Sequence, residues 1–297
     1  MKAISLHSIV PVRAEAREAA EQETQMLFGE LCEIVEEIPR GDVQCTTGRW
    51  YRVRLENDGE EGWVDAKMVS PIGGKDYAAY RKAYQTSTAT IVMPMAYAMS
   101  ENNGQTIPLT AGTRLAQYQV AKDNVHGTSF GRFEVLGVGF RIDPSMVIEK
   151  PLELNEQNLL QVVRFFLNVP YLWGGKNALG MDCSGFVQVV MSLFGKRLPR
   201  NASEQALHGR AVRALEQVRA GDLVFFDKPL PASREGNETT PHITHVGILI
   251  DSERVVHCSG RVKVEKIDGT GIFSIEQADQ EHPQGIYSHH LVSIRRM

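Results

Sequence analysis

Long apolar runs, paired cysteines and clustered positive charge are all scarce in this chain, and each shortage closes off a class of protein. No uninterrupted apolar run approaches the roughly 18 residues of a membrane-spanning helix. The four cysteines, Cys32, Cys45, Cys183 and Cys258, are scattered with no CxxC pair, which argues against a disulfide framework and a zinc ribbon. Net charge is −4 and Lys and Arg form no dense cluster, so nucleic acid is not an expected partner. The opening MKAISLHSIVPVRAEA has no long apolar stretch followed by a small-residue cleavage site. As written, the chain is expected in the cytoplasm, or in the periplasm if an export signal has been trimmed. At 297 residues, two or three domains are expected, in a monomer that needs no cofactor and no metal.

The first 70 or so residues contain short strand-like pieces, LCEIVEEI, RWYRVRL and GWVDAKMV, with NDG between the last two as a hairpin turn. This pattern predicts a small β-barrel over residues 1–74. The polar AEAREAAEQETQ within it reads as a solvated helix or loop. KDYAAYRKAY places Tyr77, Tyr80 and Tyr84 at helical spacing, for packing between domains, and opens a second region, 75–149, whose strands predict another small barrel. From 150 to 297 the order changes. LNEQNLLQVVRFFLN is helical by period and stops at Pro170; strands DLVFF, HVGILI, RVVHCS, VKVEKI and LVSIRR follow later. Helices first and strands after predict an α+β domain with helices covering one side of an antiparallel sheet. The polar, Pro-rich DKPLPASREGNETTP is expected to be a mobile loop.

Within MDCSGFVQVVMSLFG, Cys183, Val187, Val190 and Phe194 fall on one helical stripe. Asp182 is a suitable N-cap, which puts Cys183 at the first helical position, where the helix dipole favours thiolate over thiol. The helix alone leaves two readings open, a reactive thiol and a small core residue. A nucleophile needs a base and a group that orients the base. His7, His126, His208, His282, His289 and His290 lie in polar or terminal contexts and read as solvated or locally bonded. His245 opens the buried strand HVGILI, on the same face as the small Gly247, and His257 sits in the apolar RVVHCSG, where an imidazole must be hydrogen-bonded. These residues give Cys183 as nucleophile, His245 as base, His257 as orienter and His242 as a second candidate base. Cys258 must point to the opposite face and, like Cys32 and Cys45, reads as core. Zinc held by Cys183, His245 and His257 is possible by residue type, but no fourth ligand is evident.

The ordered series PYLWGGKNALGMDCSGFVQVV, LPRNASEQ, AGDLVFF, THVGILI and VVHCSG resembles the NlpC-type papain-like cysteine peptidases over about residues 150–297. The upstream β modules resemble paired bacterial SH3-like domains, an arrangement similar to the γ-D-glutamyl-L-diamino-acid endopeptidases, also called dipeptidyl-peptidase VI. The resemblance implies cleavage after L-Ala-γ-D-Glu in murein tri- or tetrapeptides with a free amine. It assigns Cys183, His245 and His257 as the triad, Tyr171 as an oxyanion donor beside the Cys183 N–H, and Trp173 as pocket lining. Asp182, Ser184 and Ser203 match positions that hold the substrate's amine and D-Glu carboxylate. Glu23 or Glu60 of the first β module would close the amine end, although relatives often carry tyrosine where Glu60 stands. Two other functions remain open: a catalytically silent peptidoglycan tether, and an acyltransferase on the same scaffold.

Overall fold

The structure, a computed structural model, describes residues 1–39, 48–122, 127–227, 242–278 and 280–297. Cys45, His126 and residues 228–241 of the Pro-rich loop lie outside the described residues. The chain forms two compact units, one of residues 1–152 with 173–178, the other of residues 153–172 with 179–297.

In the first unit, strands Leu31–Ile38, Trp50–Leu55 and Glu61–Asp65 match the three predicted pieces, and the hairpin closes as Arg54 pairs with Glu61 and Gly59 takes a φ of 82°. They belong to a seven-stranded antiparallel sheet around Val10, Val12, Met26, Val53 and Val64. The polar stretch departs from expectation, because Gln22–Leu27 is a strand with Thr24 and Gln25 buried. Its polar side chains are satisfied from far along the chain. Gln25 Oε1 accepts from Lys176 N and Asn177 Nδ2, both at 2.8 Å, and Lys176 Nζ meets the buried Glu30 carboxylate at 3.4 Å.

Helix Gly74–Thr86 follows, with Tyr80 and Tyr84 buried in a core that draws on both β regions; the Tyr80 hydroxyl donates to Gly29 O at 3.1 Å. Beyond it, five antiparallel strands form one sheet, in the order Thr106–Thr110, Met95–Ser100, Val138–Ile142, Ser129–Val135, Gln119–Lys122. The expected second SH3-like barrel goes no further than this five-stranded sheet.

The second unit is mostly sheet, with a thinner helical cover than expected. Helix Glu156–Arg164 starts at Asn155, whose side chain accepts from Asn158 N at 2.9 Å. Helix Cys183–Leu193 and the single turn Ala202–Gln205 complete the α-helical cover among the described residues. The sheet runs Arg210–Val212, Ile286–Arg296, Leu223–Asp227, His245–Leu249, Arg254–Ser259, Arg261–Ile267, Gly271–Ser274, all antiparallel. Gly271–Ser274 also pairs with Ile286–Arg296, so six of the strands close into a barrel. Alternation sorts the side chains. Leu249, Val255, Ile267, Ile272 and Ile294 fill the apolar part of the interior. Val246, Ile248, Val256 and Cys258 take the opposite face, which packs on helix Cys183–Leu193. No described helix is long and apolar enough to cross a membrane.

Candidate active site

Asp182 is the N-cap of helix Cys183–Leu193, and its carboxylate accepts from Gly185 N at 2.7 Å. Cys183 therefore stands at the first helical position, 8% exposed. The Val246 and Ser184 backbones hydrogen-bond its sulfur and favour thiolate, as does the Arg200 charge. Burial outweighs them: together with the Asp182 charge it pushes the thiol up to about 11. Burial therefore works against the helix terminus at this thiol.

The candidate base is next along the strand whose backbone touches the sulfur. His245 precedes Val246, and its Nε2 lies 2.8 Å from His257 Nδ1, with the rings edge to face. Register explains the meeting. His257 pairs with Gly247, so its side chain shares a face with His245 two residues away. Gly247 leaves the room, since a Cβ there would stand 2.6 Å from Val255 Cγ2 and 3.2 Å from His257 Cβ. His257 Nε2 lies 2.8 Å from Glu265 Oε2, so both of its ring nitrogens are engaged. A zinc site built on His257 would have to break one of these bonds. Burial holds the His245 pKa well below its usual range, helped by the charges of His257 and His289. Burial likewise lowers His257, against the pull of Glu265. Burial thus favours the uncharged forms of the thiol and of both imidazoles.

Tyr171 is half-buried in the same unit, its N–H bonded to Gly260 O at 2.9 Å. Burial, then the nearby charge of Cys183, raises its phenol pKa, so the hydroxyl keeps its proton for donation. Cys258 donates to Met181 O at 3.1 Å and is fully buried, in the core role read from the sequence. His242 is exposed, and its backbone N–H bonds Asp227.

Asp182 is more heavily engaged than a free acid. Arg200, 2% exposed, pairs with both its oxygens and donates to Ser184 Oγ at 2.8 Å, and the Ser184 hydroxyl reaches Asp182 Oδ1 at 3.3 Å. Any ammonium meeting Asp182 must share it with a guanidinium. Ser203 is exposed on the turn Ala202–Gln205, which is tied to the nucleophile helix by Gln205 Nε2 donating to Ser184 O at 3.3 Å. Trp173, Glu23 and Glu60 belong to the first unit. Trp173 is 58% exposed and its carbonyl accepts from Gln22 Nε2 at 3.1 Å. Glu23 and Glu60 are half-buried, on strand Gln22–Leu27 and in the hairpin turn.

Three participants escaped the sequence reading. Arg200 stood in LPRNASEQ without being singled out. His289, read as solvated, stacks on His245 at 4.2 Å between centroids; its signal was a place in a long strand, Ile286–Arg296, opposite Ile272. Glu265 was hidden in VKVEKI, where alternation puts it on the same side as Lys263, the register partner of His257.

Two regions of the chain match known families. The NlpC/P60 family matches residues 168–279, and the bacterial dipeptidyl-peptidase SH3 domain matches residues 12–68. A γ-D-glutamyl-L-lysine dipeptidyl-peptidase from Bacillus subtilis is 28% identical over 242 residues, covering 79% of this chain and 71% of that protein. A probable endopeptidase from Haemophilus influenzae is 41% identical over 93 residues, or 31% of this chain and 52% of its own length. The crystal structure of an NlpC/P60 family protein from Bacillus cereus superposes with a TM-score of 0.72 at 18% identity, covering 100% of this chain and 99% of that one. At that identity the likeness is one of fold.

Proposed function

The chain carries an NlpC/P60 family domain preceded by a bacterial dipeptidyl-peptidase SH3 domain, and on that premise we propose that it is a cysteine endopeptidase. Its target is the γ-D-glutamyl bond to a diamino acid in murein peptides, and it releases L-Ala-γ-D-Glu for recycling of cell-wall peptides. The observation that carries the chemistry is the 2.8 Å bond between His245 and His257 beside a helix-terminal thiol whose sulfur is bonded by the Val246 backbone. The similarity to a γ-D-glutamyl-L-lysine dipeptidyl-peptidase over 79% of the chain supports the choice of bond.

In the mechanism, His245 takes the Cys183 proton as sulfur attacks the γ-carbonyl of D-Glu, and the carbonyl electron pair moves to oxygen. Tyr171 and the Cys183 N–H donate to that oxyanion. The tetrahedral centre collapses, the C–N bond breaks, and the proton on His245 passes to the departing amine. Water then gives its proton to His245 and attacks the thioester; the C–S bond breaks and the thiol is regenerated. Asp182, still paired with Arg200, receives the substrate's ammonium, with Ser184 and Ser203 on the carboxylate side.

Incubation with L-Ala-γ-D-Glu-lysine and L-Ala-γ-D-Glu-diaminopimelate peptides, with Cys183→Ala as control, tests this reading. Release of L-Ala-γ-D-Glu by wild type alone is expected, and N-acetylated or glycan-linked stems should be refused. Cleavage elsewhere in the stem would replace the proposed bond, transfer of the acyl group to an added amine would make the protein an acyltransferase, and binding without cleavage would make it a tether.

A further inference from the structure

The interior of the closed barrel is apolar over most of its wall, yet one region of it carries His245, His257, Lys263, Glu265 and Ser274. Glu265 and Lys263 side chains are 8% and 9% exposed. Buried ion pairs seldom add net stability over apolar residues of similar size, so a barrel that spends interior positions on them is serving another end. Glu265 is held from three sides. His257 Nε2 lies 2.8 Å from Oε2, Lys263 Nζ 3.1 Å from the same oxygen, and Ser274 Oγ 2.5 Å from Oε1. Lys263 also meets Glu276 at 3.3 Å, and Arg261 pairs with Glu276 in turn.

We propose that Glu265 is a positioning residue that sets the tautomers of both catalytic histidines, making the working unit a Cys183–His245–His257–Glu265 relay. The deduction follows from hydrogen-bond inventory. Its bonds to His257, Ser274 and Lys263 hold the Glu265 pKa down to about 2 against the effect of burial, so at neutral pH the carboxylate can only accept. His257 must then carry its proton on Nε2. That leaves Nδ1 as a lone pair, and the 2.8 Å contact requires His245 to donate to it from Nε2. His245 Nδ1 is therefore bare, and it is the nitrogen left to take the Cys183 proton. One fixed carboxylate thus dictates, through two imidazoles, which nitrogen acts as base. Charges around the pair also include His289 and Lys263, which lower the pKa of His245, and Glu276, which raises that of His257.

The inference rests on the Cys–His–His reading of the site but not on the choice of substrate, and its test needs no peptide. Long-range ¹H–¹⁵N spectra of histidine-labelled wild-type protein should show His245 and His257 both protonated on Nε2 alone at pH 7. A proton on Nδ1 of either ring would overturn the proposal. Glu265→Leu, which has no acceptor, should lose this bias and slow iodoacetamide alkylation of Cys183 by roughly tenfold to a hundredfold, as displaced orienting partners do elsewhere. Glu265→Gln, which can still accept, should keep the tautomers and stay within about threefold of wild type. Unchanged spectra and alkylation in a folded Glu265→Leu would also overturn it. Should that variant not fold, the wild-type spectra and Glu265→Gln still decide. If the tautomers are as stated while γ-D-glutamyl peptides stay intact, the substrate reading fails and the relay stands.

Discussion

The Cys183 thiol at the head of its helix shows how two effects of opposite sign meet in one side chain. The free N–H groups of the helix start, the Val246 and Ser184 backbones and Arg200 draw its pKa down, while burial raises it further. Because burial opposes the thiolate, the proposed reaction asks more of the groups around the thiol. Tyr171→Phe removes the proposed oxyanion donor and should cost about 3 to 4 kcal/mol in the barrier, roughly two to three orders of magnitude in kcat. A loss under tenfold would mean that the oxyanion is held elsewhere. Arg200 makes the converse case for stability. Arg200→Met leaves the Asp182 carboxylate, 6% exposed, without its cation and should destabilise the fold by about 3 to 5 kcal/mol in urea titrations. Neutralising both partners, in Arg200→Met with Asp182→Asn, should recover much of that loss. Asp182 was legible as a cap from its place before an apolar stripe. Its partner was not, because Arg200 is joined to it by a fold 18 residues long and no periodicity marks such a contact.

At the level of elements, the patterns that sequence reads well are those in which apolarity repeats. The helix over Cys183–Leu193, the hairpin between Trp50–Leu55 and Glu61–Asp65, and the two histidine strands all announced themselves in this way. Gln22–Leu27 did not, since Thr24 and Gln25 are buried and Gln25 is held by hydrogen bonds that a hydropathy pattern cannot see, made to residues 151 and 152 positions away. The juxtaposition of His245 and His257 depends on the strand pair more than on either strand alone. Gly247→Ala would set a methyl group 2.6 Å from Val255 Cγ2 and 3.1 Å from Val256 O. The strands must part to admit it, at a cost of about 1 to 3 kcal/mol. Thermal melts should show that loss, and Cys183 alkylation should slow in the folded fraction as the 2.8 Å histidine contact lengthens. An alkylation rate unchanged from wild type would mean the histidine pair tolerates the shift.

For the molecule as a whole, acid is the condition to which the catalytic unit is most exposed. His245 and His257 have pKa values lowered from 6.5 by burial, so the unfolded chain binds their protons more readily than the folded one. Their contribution is intact above pH 6.5 and fades as pH falls below it. Glu265 acts in the same direction lower down. With its pKa lowered from 4.5 to about 2, its contribution is complete above pH 4.5 and lost between there and pH 2. Urea midpoints followed through Trp173-independent signals such as histidine NMR should therefore fall steadily from pH 6.5 downward. A Glu265→Gln variant should flatten the part below pH 4.5, and an equal slope in both proteins there would contradict the assignment.

The barrel closure has a consequence for how the enzyme comes into being. Its final strand, Ile286–Arg296, lies between Leu223–Asp227 and Gly271–Ser274 and bonds to both. Cys183 and both histidines are translated well before that strand leaves the ribosome. Until it emerges, the wall carrying His245, His257 and Glu265 has a gap, so the thiol is made before the strand that completes the wall around its candidate partners.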